Sequence, residues 1–151
     1  MILSNEVECD EAYVIAGHKG QPKVVESKGR KGRRRRLQGK CGRGTLEKER
    51  PPVFGMMQRG GQVVIKLLAN VQQKTIEPFI KDTRDDDGDG LCEVHVNTME
   101  GFWSLLRSWL RPHRGIAQEN LPLYLGFFEF VHNVRKRGKA LLGALIELLV
   151  T

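Results

Sequence analysis

Two acidic residues stand where a carboxylate could do chemistry, Asp10 and Glu100. Residues 5 to 15 alternate in character, which predicts a strand with Val7, Cys9, Glu11 and Tyr13 on one side and Glu8, Asp10 and Ala12 on the other. Asp10 then sits in a mostly apolar strand, as a candidate site residue or as a solvated edge acid in a local ion pair. Glu100 falls in a run predicted to be helical, and Arg107, seven residues on, lies two turns along the same face. An acid and a base are thus stacked along one side of a helix. The same pair can equally be a first-turn acid favoured by the helix dipole and a solvated base.

Other constellations carry less. Asp85, Asp87, Asp89 and Gly90 match the first half of a calcium loop, but its twelfth position, which needs a bidentate Glu, is Val96. His95, His113 and His132 have no i, i+4 partner among themselves, and Cys9, Cys41 and Cys92 are too far apart for a paired thiolate motif, so no zinc site is expected. No Gly-rich loop ends in Lys-Ser or Lys-Thr, which removes the common phosphate cradle.

The elements that must hold these residues follow from periodicity and turn signals. Residues 17 to 50 hold seven glycines and few apolar side chains, which predicts a flexible basic loop. Residues 53 to 59 and 62 to 68 flank Gly60-Gly61 and predict an antiparallel hairpin. Val71, Ile76, Phe79 and Ile80 recur at rough helical spacing up to Asp82, with Pro78 against a regular helix. After a polar loop at residues 83 to 90, Asn97 or Thr98 can cap a helix bearing Met99, Phe102, Trp103, Leu105, Leu106, Trp109 and Leu110. A helix from Gln118 to about Arg137 follows, with Leu121, Leu125, Phe128 and Val131 as its apolar stripe and Gly138 as its stop; a last one covers residues 139 to 150.

The chain has 151 residues, the length of one domain. Its 25 Lys and Arg exceed its 18 Asp and Glu, for a net charge of +7. Between His18 and Arg50 thirteen basic residues, among them Arg33, Arg34, Arg35 and Arg36, face three acids. Such density releases counterions from phosphate and predicts non-specific nucleic-acid binding without requiring a fold, the alternative being a solvated loop with no partner. An odd cysteine count argues against a disulfide framework and for a reducing cytoplasm. The amino terminus lacks the basic and apolar regions of a signal peptide, and the most apolar stretch, Ala140 to Val150, is about half of the ~20 residues a membrane span needs. We therefore expect neither export nor membrane insertion.

Residues 94 to 107, Val-His-Val-Asn-Thr-Met-Glu-Gly-Phe-Trp-Ser-Leu-Leu-Arg, followed by Leu123-Tyr124, by Phe128-Glu129-Phe130 and by His132-Asn133-Val134-Arg135, resemble the carboxy-terminal half of a transposase domain. The family is the IS-fifteen-ninety-five group of DDE insertion-sequence transposases. Residues 7 to 14 resemble its first catalytic strand, and residues 52 to 61 its second strand and turn, with a basic Gly-rich loop between them as in the family.

The resemblance implies an α/β, RNase H-like fold with a helical carboxy-terminal half, in which acidic residues hold Mg²⁺ or Mn²⁺ ions for phosphoryl transfer on DNA. It implies that Asp10 is the first metal ligand, that Glu100 is the late acid with Asn97 as its alternative, and that Arg107 faces DNA. Arg33 to Arg36 would bind DNA by charge, and the chain would work in the cytoplasm, at the nucleoid.

There are two departures. The family has a further strand with a second catalytic Asp, then helical and strand segments, where this chain runs from Lys81-Asp82-Thr83 directly into Arg84-Asp85-Asp86-Asp87. We therefore expect a single, internally shortened transposase-like domain over residues 1 to 151, with an incomplete sheet and impaired catalysis. The family's amino-terminal recognition regions have no counterpart ahead of Asp10, which leaves electrostatic DNA affinity and pairing with another copy or a full-length transposase. Two alternatives stay open: a non-enzymatic basic nucleic-acid-binding protein, and a divergent nuclease using Asp10, Glu100 and one of Asp85 to Asp89.

Overall fold

The computed structural model describes residues 3, 7–29, 44–47, 49–83 and 97–135 and, beyond these, residues 138, 143, 146, 147 and 150. Strand β1 (Val7–Tyr13) is followed by a short helix α1 (Pro22–Ser27), then by the hairpin of β2 (Pro52–Gln58) and β3 (Val63–Leu67). Helices α2 (Gln73–Thr83), α3 (Asn97–Leu110) and α4 (Leu121–Arg135) follow, α3 running into a 3-10 turn at Arg111–His113. The chain is thus α/β, with an antiparallel sheet in the order β1-β2-β3.

The alternation expected for β1 is realised, and both faces of the sheet are covered. Val7 and Cys9 join Phe54, Met56, Val64 and Leu68 in one cluster, closed by Ile76, Phe79 and Ile80 of α2. Ala12, Val53, Met57, Val63 and Ile65 form the other, against Met99, Phe102, Trp103 and Leu106 of α3 and Leu121 and Leu125 of α4. The middle strand β2 is therefore buried from Pro52 to Met57, because helices lie over both of its faces. Each large side chain enclosed in this way stabilises the fold by about 1.5–3 kcal/mol relative to exposure.

The hairpin turns at Gly60, whose φ of +66° is in the left-handed region that glycine enters without strain. Helix α2 runs through Pro78 despite the missing backbone donor. Its apolar face is held on the sheet, and Asn70 Oδ1 accepts from both Gln72 N and Thr75 Oγ1 ahead of its first turn.

Two expectations need adjusting, and others lie outside the described residues. The stretch expected to be loop from residue 17 to 50 contains α1, and near it Gly17 N donates to Ile116 O at 2.9 Å while Gln118 N donates to Gly17 O at 2.8 Å. Residues 30–43, including Arg33 to Arg36, lie outside the described residues, as do the Asp85 to Asp89 loop and most of the helix expected after residue 138. On α4, Val131 is 43% exposed, so it does not extend the stripe of Leu121 and Leu125. The helix turns polar side chains to the sheet at that point: Glu129 Oε2 accepts from Ile65 N, and Asn133 both accepts from Val63 N and donates to Val63 O, each at 2.7–2.8 Å. Beside β3, α4 thus takes the place of a fourth strand, because outward-facing backbone groups of an edge strand need partners.

Candidate functional site

Asp10 lies at the middle of β1, half-buried, on the face covered by α3, and its cross-strand partner in β2 is Gly55. The glycine makes room. A Cβ at residue 55 would stand 2.7 and 2.8 Å from the Trp103 ring atoms Cη2 and Cζ2, so the indole of α3 packs directly over the backbone of β2. From there the Trp103 Nε1–H donates to Asp10 Oδ2 at 2.9 Å. Phe102 meets the indole edge-on, with ring centroids 5.3 Å apart. Trp103 is 3% exposed, and a buried indole N–H needs an acceptor.

Two residues earlier on the same strand face, Glu8 is buried, at 2% exposure. Its Oε2 accepts from Met99 N at 3.2 Å, in the first turn of α3, where backbone donors have no partner within the helix and the positive end of the helix dipole favours a carboxylate. Its Oε1 is buried with no hydrogen-bond partner among the described residues. Strand β1 is therefore joined to α3 at two points one helical turn apart, Met99 and Trp103, through two carboxylates of one strand face.

Glu100 is in the first turn of α3 and Arg107 in its last, both exposed and with no side-chain hydrogen bond or ion pair among the described residues. They flank the buried stripe of Met99, Trp103 and Leu106 on the side of Trp103, as the helical period requires. Asn97 is the first residue of α3. The structure brings Asp10 and the helix of Glu100 together, but among the described residues no three His, Cys, Asp or Glu side chains converge on one point. The donors that are present suit Mg²⁺ or Mn²⁺ in kind, being carboxylate oxygens: Asp10 Oδ1 accepts no hydrogen bond among the described residues, and Glu8 Oε1 is a buried oxygen left over on the same face.

Sequence reasoning singled out Asp10 and missed the residues that hold it. Alternation had already set Glu8 beside Asp10, and a second acid on a face that meets a helix was the available signal. Gly55 is the lone glycine in an otherwise bulky apolar strand, a pattern that often marks close approach of another group. Periodicity did not point to Glu129 or Asn133, which stood out only within the stretches that resemble the family.

Comparison with known proteins bears on this arrangement. Residues 2–89 match the ISXO2-like transposase domain, a span that includes β1, the hairpin and α2. The chain is also 34% identical to a protein of Halobacterium salinarum (strain ATCC 700922 / JCM 11081 / NRC-1) described as an uncharacterized protein in transposable element ISH50. That likeness takes in 96% of this chain, and so continues well past residue 89, and 58% of the relative, so the chain spans under two thirds of the relative's length. It runs over 177 residues, more than the 151 of the chain, so the relative has positions within it that have no counterpart here. No solved structure matches the chain. With more than half of its residues matched by that domain, and Asp10 on the strand that opens it, the chain belongs to the ISXO2-like family, the IS1595 group of insertion-sequence transposases.

Proposed function

We propose that this chain is a transposase-derived DNA-binding protein with an RNase H-like arrangement around Asp10 and with impaired cleavage. The observation that carries the reading is the place of Asp10, at the centre of β1 and on the face covered by the helix whose first turn holds Glu100. A carboxylate on the opening strand, covered by a late helix that bears a second acid, is the arrangement the family resemblance calls for, with Asp10 and Glu100 as the residues to hold Mg²⁺ or Mn²⁺. Such cations, when bound, activate the attacking oxygen and neutralise the leaving one. The chain's own part is to hold those two acids on rigid elements and to bring DNA to them by charge, through Arg107 and the basic residues between 19 and 50.

The impairment follows from length. Helix α2 ends at Thr83 and α3 begins at Asn97, so thirteen residues separate them. A strand with the second acid, plus further helical and strand segments, needs more than that, since a strand alone averages about five or six residues and a helix about eleven. The likeness to the Halobacterium relative runs over more positions than this chain has, so the relative carries residues that this chain lacks.

The test is cleavage and strand transfer on a labelled duplex with Mg²⁺ or Mn²⁺, comparing wild type with Asp10→Ala and Glu100→Ala. We expect salt-sensitive binding in all three proteins and no cleavage. Cleavage by the wild type that both substitutions abolish would show a surviving catalytic centre and overturn the impairment.

A further inference from the structure

We propose that Trp103 is the positioning residue of Asp10: its indole N–H commits Oδ2 and so fixes the carboxylate with Oδ1 as the oxygen offered to a divalent cation. The proposal rests on the reading of Asp10 as a cation ligand and adds the group that orients it.

A carboxylate on a strand turns about its own side-chain bonds, and a hydrogen bond to one oxygen stops that rotation. Here the donor is a rigid ring. Its plane is held by Phe102 at 5.3 Å between centroids and by the backbone of Gly55 beneath it. The helix that carries it is fastened one turn earlier by Glu8 to Met99 N. Trp103 Nε1 therefore reaches Asp10 Oδ2 from a fixed base, at 2.9 Å. If the ring served only to fill the core, any buried acceptor would satisfy its N–H. The acceptor used is instead the carboxylate that the family resemblance names as the first metal ligand, and Asp10 Oδ1 is left without a hydrogen bond among the described residues. Donors that hold a ligand's second atom in this way sharpen its geometry, and their removal weakens metal binding by about 10- to 100-fold.

The chain has two tryptophans, so Trp109→Phe leaves Trp103 as the sole reporter, with its ring nitrogen 2.9 Å from the proposed ligand. Mn²⁺, which quenches nearby indole emission, is titrated into this full-length variant while free Mn²⁺ is followed by electron paramagnetic resonance. We expect saturable quenching with the same Kd as the resonance signal, both abolished by Asp10→Asn, which keeps an acceptor for the indole but loses the charge. In the wild-type background, Trp103→Phe, which keeps an aromatic ring but not the donor, is expected to raise that Kd by about 10- to 100-fold while far-UV circular dichroism stays unchanged.

Three results would overturn the proposal. Mn²⁺ bound through Asp10 with no change in Trp103 emission separates the indole from the site, and this holds even if Trp103→Phe fails to fold. An unchanged Kd in a folded Trp103→Phe protein removes the positioning role while leaving Asp10 as a ligand. No Asp10-dependent Mn²⁺ binding in any variant removes the ligand reading itself, and retained salt-sensitive DNA binding would then show that only the cation site had failed.

Discussion

Gly55→Ala tests the close approach on which the arrangement around Asp10 depends. A Cβ at residue 55 would lie 2.6 Å from Met99 Cε, 2.7 Å from Trp103 Cη2 and 2.8 Å from Trp103 Cζ2. Carbon atoms normally rest about 3.5–4.0 Å apart, so something has to move by roughly 1 Å. The end of Met99 can swing aside. The indole cannot bend, is 3% exposed, and has its N–H on Asp10. Overpacking a filled core costs about 1–3 kcal/mol. A ring pushed back by roughly 1 Å also stretches a hydrogen bond to a charged group, a kind worth about 1.5–3 kcal/mol. Both costs act through the same ring and do not simply add, so we expect a net loss of about 2–4 kcal/mol.

At roughly 2–4 °C per kcal/mol for a chain of this size, Tm should fall by roughly 5–15 °C. Urea unfolding, followed by tryptophan emission and circular dichroism, measures the loss directly. Gly101→Ala is the control of opposite sign: it lies within α3 with nothing within 4 Å of its added Cβ, and should stabilise the protein by about 0.5–1 kcal/mol through helix propensity. A Gly55→Ala protein within about 0.5 kcal/mol of wild type would refute the argument, because an added methyl without a cost means the ring does not lie on that backbone.

Other outcomes follow from the same geometry. Glu8→Ala leaves the buried Met99 N–H without an acceptor, but also removes the unpartnered Oε1; we expect a net loss of about 1–2 kcal/mol and faster hydrogen exchange at the Met99 amide, and unchanged exchange would contradict the link. Glu129→Ala and Asn133→Ala each uncover backbone groups of β3, so each should cost about 1–3 kcal/mol, and the double variant should associate through its freed edge, as light scattering would report. Neutralising Arg33 to Arg36 together should flatten the dependence of log K on log salt for duplex DNA by about 3 to 4, at ~0.9 for each phosphate no longer neutralised, whereas Asp10→Asn should leave that slope alone.

What the sequence determined by itself was the set of elements and their faces. The period of two in residues 7 to 13, the glycine pair at the hairpin and the stripe of Met99, Phe102, Trp103 and Leu106 are each written in a dozen residues or fewer, because the backbone repeats that produce them are local. The side of β1 that carries Asp10 was legible for the same reason, and so was the helix that carries Glu100. The partners of those residues were not. Trp103 meets Asp10 across 93 positions, Met99 meets Glu8 across 91, and Asn133 meets Val63 across 70. Such pairings depend on how α3 and α4 dock on the sheet, and docking is decided by burial summed over both surfaces, with no signal at either residue alone. Periodicity took the inner stripe of α4 on to Val131, whereas the folded chain set Glu129 and Asn133 against the sheet, because the edge strand β3 had backbone groups to satisfy and only the tertiary structure brings that edge to the helix.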